Sequence, residues 1–266
     1  MNLREAFMAS KLLGGGSGGG GGASDGILGE VLARTISGTF ADSTITALGG
    51  FAFAGCTQLQ AVSLPACTKV GESAFLNAYN MSQLYLPQVT SIGRSAFLFT
   101  SALEELHFPL LSSLAQAQFY GCGARYIEVP LVQKVPYSGF ANCSRLQSVY
   151  APLVETIDTY GFMQTALSEA VFPNAKSVGT SAFNNCSQTL VMASFPSLSV
   201  IYSDAFRRCF HLVSFYLLGD QVCTLSNQNA FSSTPIGGYT ASVGGQLGSV
   251  FVKASLLESY RVASMW

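Results

Sequence analysis

The sequence predicts a repeat solenoid whose units of 21–25 residues each hold one short strand plus a turn or short helical segment, with a cap at both ends. Two independent markers predict this fold. One is a phenylalanine that recurs nine times: Phe53, Phe75, Phe97, Phe119, Phe140, Phe162, Phe183, Phe206 and Phe231. The other is a proline after a short apolar run, which recurs seven times: Pro65, Pro87, Pro109, Pro130, Pro152, Pro173 and Pro196. Because both markers keep one period, the units are expected to stack.

Each unit is expected to contribute a strand that ends just before its proline. Apolar residues alternate with others in "VSLP", "LYLP", "LHFP" and "IEVP", which is typical of a strand with one buried face. Proline cannot donate a hydrogen bond to a sheet and therefore ends the strand. The segment around the recurring Ala-Phe is too short for a long helix. One unit alone cannot bury its apolar residues, but stacked units can.

Five of the seven cysteines lie three residues after the repeat phenylalanine: Cys56, Cys122, Cys143, Cys186 and Cys209. The same position holds Ala78, Thr100, Thr165 and Thr234 in the other units, so it requires a small side chain in a tight corner. No paired histidine or Cys-x-x-Cys spacing supports a nucleophile or a zinc site. Disulfides between neighbouring units, Cys122 with Cys143 and Cys186 with Cys209, stay open as an alternative to packed thiols.

The repeat pattern resembles that of the BspA-like group of leucine-rich repeat proteins, which occur on bacterial surfaces and in gut-bacterial and prophage genomes. The stretches "ITALGGFAFAGCTQLQAVSLP" (Ile45–Pro65) and "TSIGRSAF" (Thr90–Phe97) carry the resemblance, together with their later echoes. It covers residues 45–236 and reaches the closing "GSVFVKASLLESYRVASMW". The resemblance implies a leucine-rich repeat solenoid with a role in adhesion. Arg125, at a usual leucine position, departs from the pattern and puts the register there in doubt.

The chain divides into five predicted segments. They are an amphipathic N-terminal peg (1–13), a Gly-rich linker (14–26), an N-terminal cap (27–47), the nine-unit solenoid (48–236) and a C-terminal cap with a strand and a helix (237–266). One interpretation is that the peg docks into an assembly partner, and the alternative is that it is a frayed tail. Ser255 and Glu258 form a capping-box pattern that predicts the start of the last helix.

Composition and charge exclude several function classes. The net charge of -1 argues against nucleic-acid binding, and no uninterrupted apolar stretch of about 18 residues predicts a membrane span. Charged Arg4, Glu5 and Lys11 interrupt what a cleaved signal peptide would keep apolar. We therefore expect a place at the cell surface or on a virion without a cleaved signal peptide, with the cytoplasm as the alternative.

The candidate ligand-binding residues lie two and four positions before the prolines, where side chains point away from the core. In the middle units these are Gln83, Tyr85, Glu105, His107, Tyr126, Glu128 and Tyr150. Tyrosine is enriched at recognition surfaces, although the same residues also suit an ordinary exposed sheet. The sequence thus predicts a non-enzymatic adhesion module that binds a protein or glycan, with no catalytic residue, cofactor or metal. The alternative is a structural component of a phage-like particle docked through residues 1–13.

Overall fold

A computed structural model describes residues 36–186, 189–263 and 266 of the chain, and these residues form a parallel β-solenoid. Each repeat unit makes one rung of the stack. Ten strands pair with the strands of neighbouring rungs along one side, which we call the first ladder. They are β1 (Gly38–Ala41), β3 (Leu59–Ser63), β5 (Gln83–Tyr85), β7 (Glu105–His107), β8 (Tyr126–Glu128), β10 (Ser148–Tyr150), β12 (Glu169–Val171), β14 (Met192–Ser194), β16 (Ser214–Leu217) and β18 (Ser249–Val252).

A second ladder of two-residue strands runs along another side of the stack, and sequence analysis missed it. Its strands are β2 (Ala47–Leu48), β4 (Lys69–Val70), β6 (Ser91–Ile92), β9 (Lys134–Val135), β11 (Thr156–Ile157), β13 (Ser177–Val178), β15 (Val200–Ile201) and β17 (Thr224–Leu225). Each strand has one outward and one buried residue. Two residues are too few to show an alternating pattern, and this explains the omission.

Hydrogen-bonded pairing within each ladder is interrupted in the described part of the chain. The first ladder comprises three sheets, with strand orders β1-β3-β5, β7-β8-β10 and β12-β14-β16-β18. The second comprises β2-β4-β6 and β9-β11-β13-β15-β17. All pairs are parallel, as expected for strands that repeat once per rung.

The recurring proline opens the turn between the two strands of a rung. In one rung the Cys67 amide donates to the Leu64 carbonyl over 3.0 Å, which places Pro65 second in a four-residue turn. Val89 and Leu86 make the same bond across Pro87, over 3.3 Å. Proline suits this position because its fixed φ matches the turn and its missing N–H is not needed.

The repeat phenylalanines form a continuous stack through the core, the phenylalanine ladder. Successive ring centroids from Phe53 to Phe231 lie 5.0–5.4 Å apart, and the rings are within 13° of parallel. Backbone bonds join the same rungs, for example from the Phe140 amide to the carbonyl of Gly161, the residue before Phe162, over 2.9 Å. The ladder thus joins neighbouring rungs by ring contact and by hydrogen bonds.

The position three residues after each ladder phenylalanine, the corner position, holds a hydrogen-bond donor in many rungs. The Cys143 thiol donates to the Phe119 carbonyl over 2.8 Å, and the Thr100 hydroxyl donates to the Phe97 carbonyl over 2.9 Å. All seven cysteines are buried free thiols. Cysteine and threonine therefore both occur at this position, because both are small and both can donate to a buried carbonyl.

The 21-residue units are one residue shorter between the corner position and the next first-ladder strand. In the rung of Cys122 the buried apolar residue is Ala124, two positions on, whereas Leu59 lies three positions after Cys56. Arg125 is accordingly exposed, and strands β7 and β8 pair in ordinary register beside it. The departure at Arg125 therefore leaves the register intact.

The C-terminal segments cover the last strand of the second ladder. A short helix, α1 (Leu257–Val262), follows a 3₁₀ turn at Ala254–Leu256. The Cys223 amide donates to the Tyr260 hydroxyl over 2.8 Å, and the Trp266 indole donates to the Cys223 carbonyl over 2.7 Å. These side chains pair backbone groups at the end of the ladder, where no further rung follows in the described chain.

Two predictions about the ends have different outcomes. The capping box was wrong: Ser255 lies inside the 3₁₀ turn, Leu256 occupies the N-cap of α1, and no side chain caps that helix. The reason is that the chain is already helical before Ser255 would have to cap it. The peg and linker, residues 1–26, lie outside the described residues. No helix in the described ranges is long and apolar enough to cross a membrane.

Candidate recognition surface on the first ladder

The outward side chains of the first ladder form a surface that we call the strand face. Alternation along each three-residue strand points the central residue towards the core and turns the two flanking residues outward, as in β7 and β8. In β7, Leu106 is buried while Glu105 and His107 are exposed. Parallel pairing then aligns equivalent residues of consecutive rungs into two columns across the strands.

A histidine between two carboxylates lies at the centre of the strand face. His107 Nδ1 lies 2.8 Å from Glu128 Oε2 on the neighbouring strand, and His107 Nε2 lies 3.5 Å from Glu105 Oε2 on its own strand. The side chain of His107 is 52% exposed and that of Glu128 is 32% exposed. The cluster is therefore open to solvent and available to a partner.

The two carboxylates favour the protonated form of the histidine. The hydrogen bond to Glu128 is the largest influence and raises the pKa of His107; partial burial opposes it, and the bond to Glu105 and both negative charges add to the rise. An exposed pair of this kind contributes little to stability. Its main effect is to hold the His107 ring between two carboxylates on the surface.

Two tyrosines complete the cluster. Tyr126 pairs with Glu105 in register, and its ring centroid lies 5.5 Å from that of His107. Partial burial raises the pKa of Tyr126, with smaller contributions from the neighbouring carboxylates and Tyr150. Tyr150 pairs in register with Glu128 and is 50% exposed. Aromatic and charged side chains thus lie side by side on β7, β8 and β10.

The structure brings five of the seven predicted residues into this cluster and leaves two on a separate sheet. Gln83 and Tyr85 lie on β5, which pairs with β3. Strands β5 and β7 are adjacent, but they belong to different hydrogen-bonded sheets in the described chain. Tyr85 is 57% exposed and still faces outward, next to the cluster rather than within its sheet.

Sequence analysis missed a second aromatic pair on the same surface. Tyr216 on β16 and Phe251 on β18 pair in register, and their rings stack with centroids 4.6 Å apart at 12°. They continue the column of Tyr150, but neither strand is followed by the marker proline. Alternation in "SFYL" was the available signal, and aligning the strands by proline alone passed over it.

The cluster is suited to contact rather than to metal coordination. No group of three or more His, Cys, Asp or Glu side chains in the described part of the chain has an arrangement that could hold a metal ion. The side chains present ring surfaces, two tyrosine hydroxyls, an imidazole and two carboxylates along the sheet. Such a set can bind by stacking, hydrogen bonds and ion pairs.

Comparison with known proteins identifies a family. A family model for the BspA-type leucine-rich repeat region matches residues 35–147 and 112–236, with six copies of the repeat. No curated protein matches the chain.

Among solved structures, a leucine-rich cell-surface protein from Faecalibacterium prausnitzii has 19% identity and a TM-score of 0.51, over 79% of this chain and 62% of that one. This chain therefore spans less than two thirds of that protein. A leucine-rich repeat protein from Bacteroides ovatus has 15% identity and a TM-score of 0.38, over 78% and 87% of the two chains. The pneumococcal vaccine antigen PcpA has 16% identity and a TM-score of 0.38, over 82% of this chain and 79% of that one.

Proposed function

The chain belongs to the BspA-type leucine-rich repeat proteins, and we propose that it is a non-enzymatic recognition module that binds a cell-surface protein or glycan through its strand face. The observation that carries this proposal is the cluster of Glu105, His107, Tyr126, Glu128 and Tyr150 on β7, β8 and β10. Leucine-rich repeat surfaces of this kind commonly serve binding, although a fold by itself does not define a ligand.

The composition of the cluster supports recognition. Tyrosine offers a rigid ring and a hydroxyl with little loss of side-chain entropy on binding. Tyr150 is half exposed, so a partner can bury additional apolar area on it. The imidazole and the two carboxylates beside it add directional bonds that select among partners. We also propose that the protein is located at the cell surface, where it could contact such partners.

The assembly alternative depends on residues 1–13, which lie outside the described residues. The strand face contributes nothing to it, and none of the three solved proteins reported above is described as a phage component. Docking through the peg stays a prediction from the sequence.

The test is saturable binding of labelled protein to bacterial envelopes and to animal-cell surface preparations. The face variant carries His107→Ala, Tyr126→Ala and Tyr150→Ala. The matched control carries Lys134→Ala, Thr156→Ala and Ser177→Ala on the second ladder, where the replaced side chains are also outside the core. We expect the face variant to bind at least about tenfold more weakly, because central aromatic residues dominate binding energy.

Equal loss in the control, or full binding by the face variant, contradicts the proposal. Circular dichroism establishes that both variants remain folded. Treating the surface preparation with protease or with periodate then distinguishes a protein partner from a glycan. Loss of binding only on deletion of residues 1–22 supports the assembly alternative instead.

A further inference from the structure

A polar groove of about 400 Å³ lies outside the strand face, beside the corner positions of three consecutive rungs. Among the described residues, three amide side chains and three hydroxyl side chains line it: Asn142, Gln164 and Asn185, with Ser144, Thr165 and Thr189. Its volume is within the range of small-ligand sites. None of the described lining residues carries a charge.

The three amides occupy the same position of successive rungs, two residues after the ladder phenylalanine, and we call them the amide row. Their backbones have φ values of 60°, 57° and 62°, so the chain turns in the same way at each. The ladder rings of these rungs, Phe140 to Phe162 to Phe183, are spaced by 5.0 and 5.2 Å. The amide row therefore repeats along the groove at about this spacing.

Among the described residues that line the groove, one has a buried polar atom without a hydrogen-bond partner. The Asn142 side chain donates to the Tyr120 hydroxyl. Gln164 is exposed and Asn185 is half-buried, so both are accessible from the groove. Thr189 Oγ1 is buried without a partner. Buried polar groups normally find partners, so the Thr189 hydroxyl has unused capacity to bind a ligand.

Backbone preference explains only part of the amide row. Asparagine and glycine tolerate positive φ best, and this accounts for Asn142 and Asn185. Glutamine has no such advantage, yet Gln164 adopts φ of 57° and projects an exposed amide between its two neighbours. The same position has φ near 60° in rungs outside the groove, at Phe99, Arg208 and Ser233, so this conformation belongs to the repeat turn, and only the amide side chains distinguish the groove.

We propose that this groove binds a neutral saccharide, a site separate from the strand face. An uncharged lining selects an uncharged ligand, and side-chain amides donate and accept hydrogen bonds as sugar hydroxyls require. An extended peptide along the groove would present groups to the same side every two residues, about 6.6–6.8 Å apart, which does not match the rung spacing. The distance between hydroxyls on opposite sides of a pyranose ring is similar to the distance between neighbouring rungs.

The experiment uses the full chain and defined probes: the methyl glycosides of glucose, galactose, mannose and N-acetylglucosamine, and the corresponding disaccharides. Saturation-transfer NMR detects binding of each probe, and backbone amide shifts locate it. We expect at least one neutral probe to bind and to shift the resonances of Gln164 and Asn185. Failure of every probe overturns the proposal, as does a neutral probe that shifts only residues elsewhere.

The variant Gln164→Gly with Asn185→Gly removes two amides where glycine adopts positive φ without steric cost, so folding should be preserved. We expect affinity to fall at least about tenfold, since each amide can make up to two hydrogen bonds to the probe. The matched control is Ser233→Gly, at the same position of a rung outside the groove with φ of 59°, and it should bind normally.

Unchanged affinity in the double variant overturns the proposal. A short neutral peptide is tested in parallel, and binding of the peptide in place of every saccharide also overturns it. The strand-face variant described above should retain saccharide binding, so failure at one surface is distinguishable from failure at the other.

Discussion

Replacing Phe140 by alanine tests whether the phenylalanine ladder holds the rungs together. Phe140 is fully buried, and its ring lies 5.3 Å from that of Phe119 and 5.0 Å from that of Phe162, within 6° of parallel in both contacts. The substitution therefore removes a buried ring and two ring contacts at once, in the middle of the stack.

Loss of a buried phenylalanine costs about 3–5 kcal/mol of unfolding free energy. Because two stacked neighbours lose a contact worth about 0.5–1.5 kcal/mol each beyond simple burial, we expect a value near the upper end of that range. Urea denaturation followed by circular dichroism measures the change. The control is Tyr150→Ala, since that ring is 50% exposed, and its effect should be about 0.5 kcal/mol or less.

A loss below about 2 kcal/mol for Phe140→Ala, with an unchanged denaturant slope, would refute the reasoning, because it lies under the usual range for a buried ring. Should the alanine variant not fold, Phe140→Leu answers the same question. Leucine restores most of the apolar volume but not the stacking, so the expected loss is about 1–3 kcal/mol. A leucine variant as stable as the parent would show that ring stacking contributes nothing.

Three further predictions follow from single contacts. NMR titration should give His107 a pKa above 6.5, and Glu128→Gln should lower that pKa. The pairing should stabilise the folded protein slightly; this contribution is complete below about pH 6.5 and fades as pH rises through the raised pKa. A measured pKa at or below 6.5 contradicts the pairing. Burial raises the pKa of Cys223 to about 12, and all seven cysteines are buried. A thiol reagent at pH 8 should therefore modify the cysteines only after denaturation. Rapid labelling of the native protein would contradict their burial. Tyr260→Phe should destabilise the protein by about 1–3 kcal/mol and speed hydrogen exchange at the Cys223 amide, because that buried N–H loses its acceptor; unchanged exchange would count against the cap.

The periodic features of the fold were predictable because every interior rung has nearly the same surroundings. A phenylalanine that recurs each rung must stack on its counterparts, and a small residue at each corner position must fill the same space. The alternating residues before each proline likewise determined which side chains of the strand face turn outward. The predicted cluster around His107 follows from this alternation and from parallel pairing alone.

Features that depend on exceptions to the period were not predictable. The two-residue strands of the second ladder are shorter than any alternating pattern, and Tyr216 with Phe251 lies beyond the last marker proline. The break in pairing between β5 and β7 separates Tyr85 from the cluster, although the sequence around it keeps the same period.

The sequence by itself determined the stack, its spacing and the outward columns, since these depend on contacts that repeat at one fixed separation along the chain. Only the tertiary structure decided the closing contacts of Tyr260 and Trp266 on Cys223. The physical reason is that these contacts occur once. Their partners lie at irregular separations, and only the folded backbone brings their donors and acceptors within bonding distance.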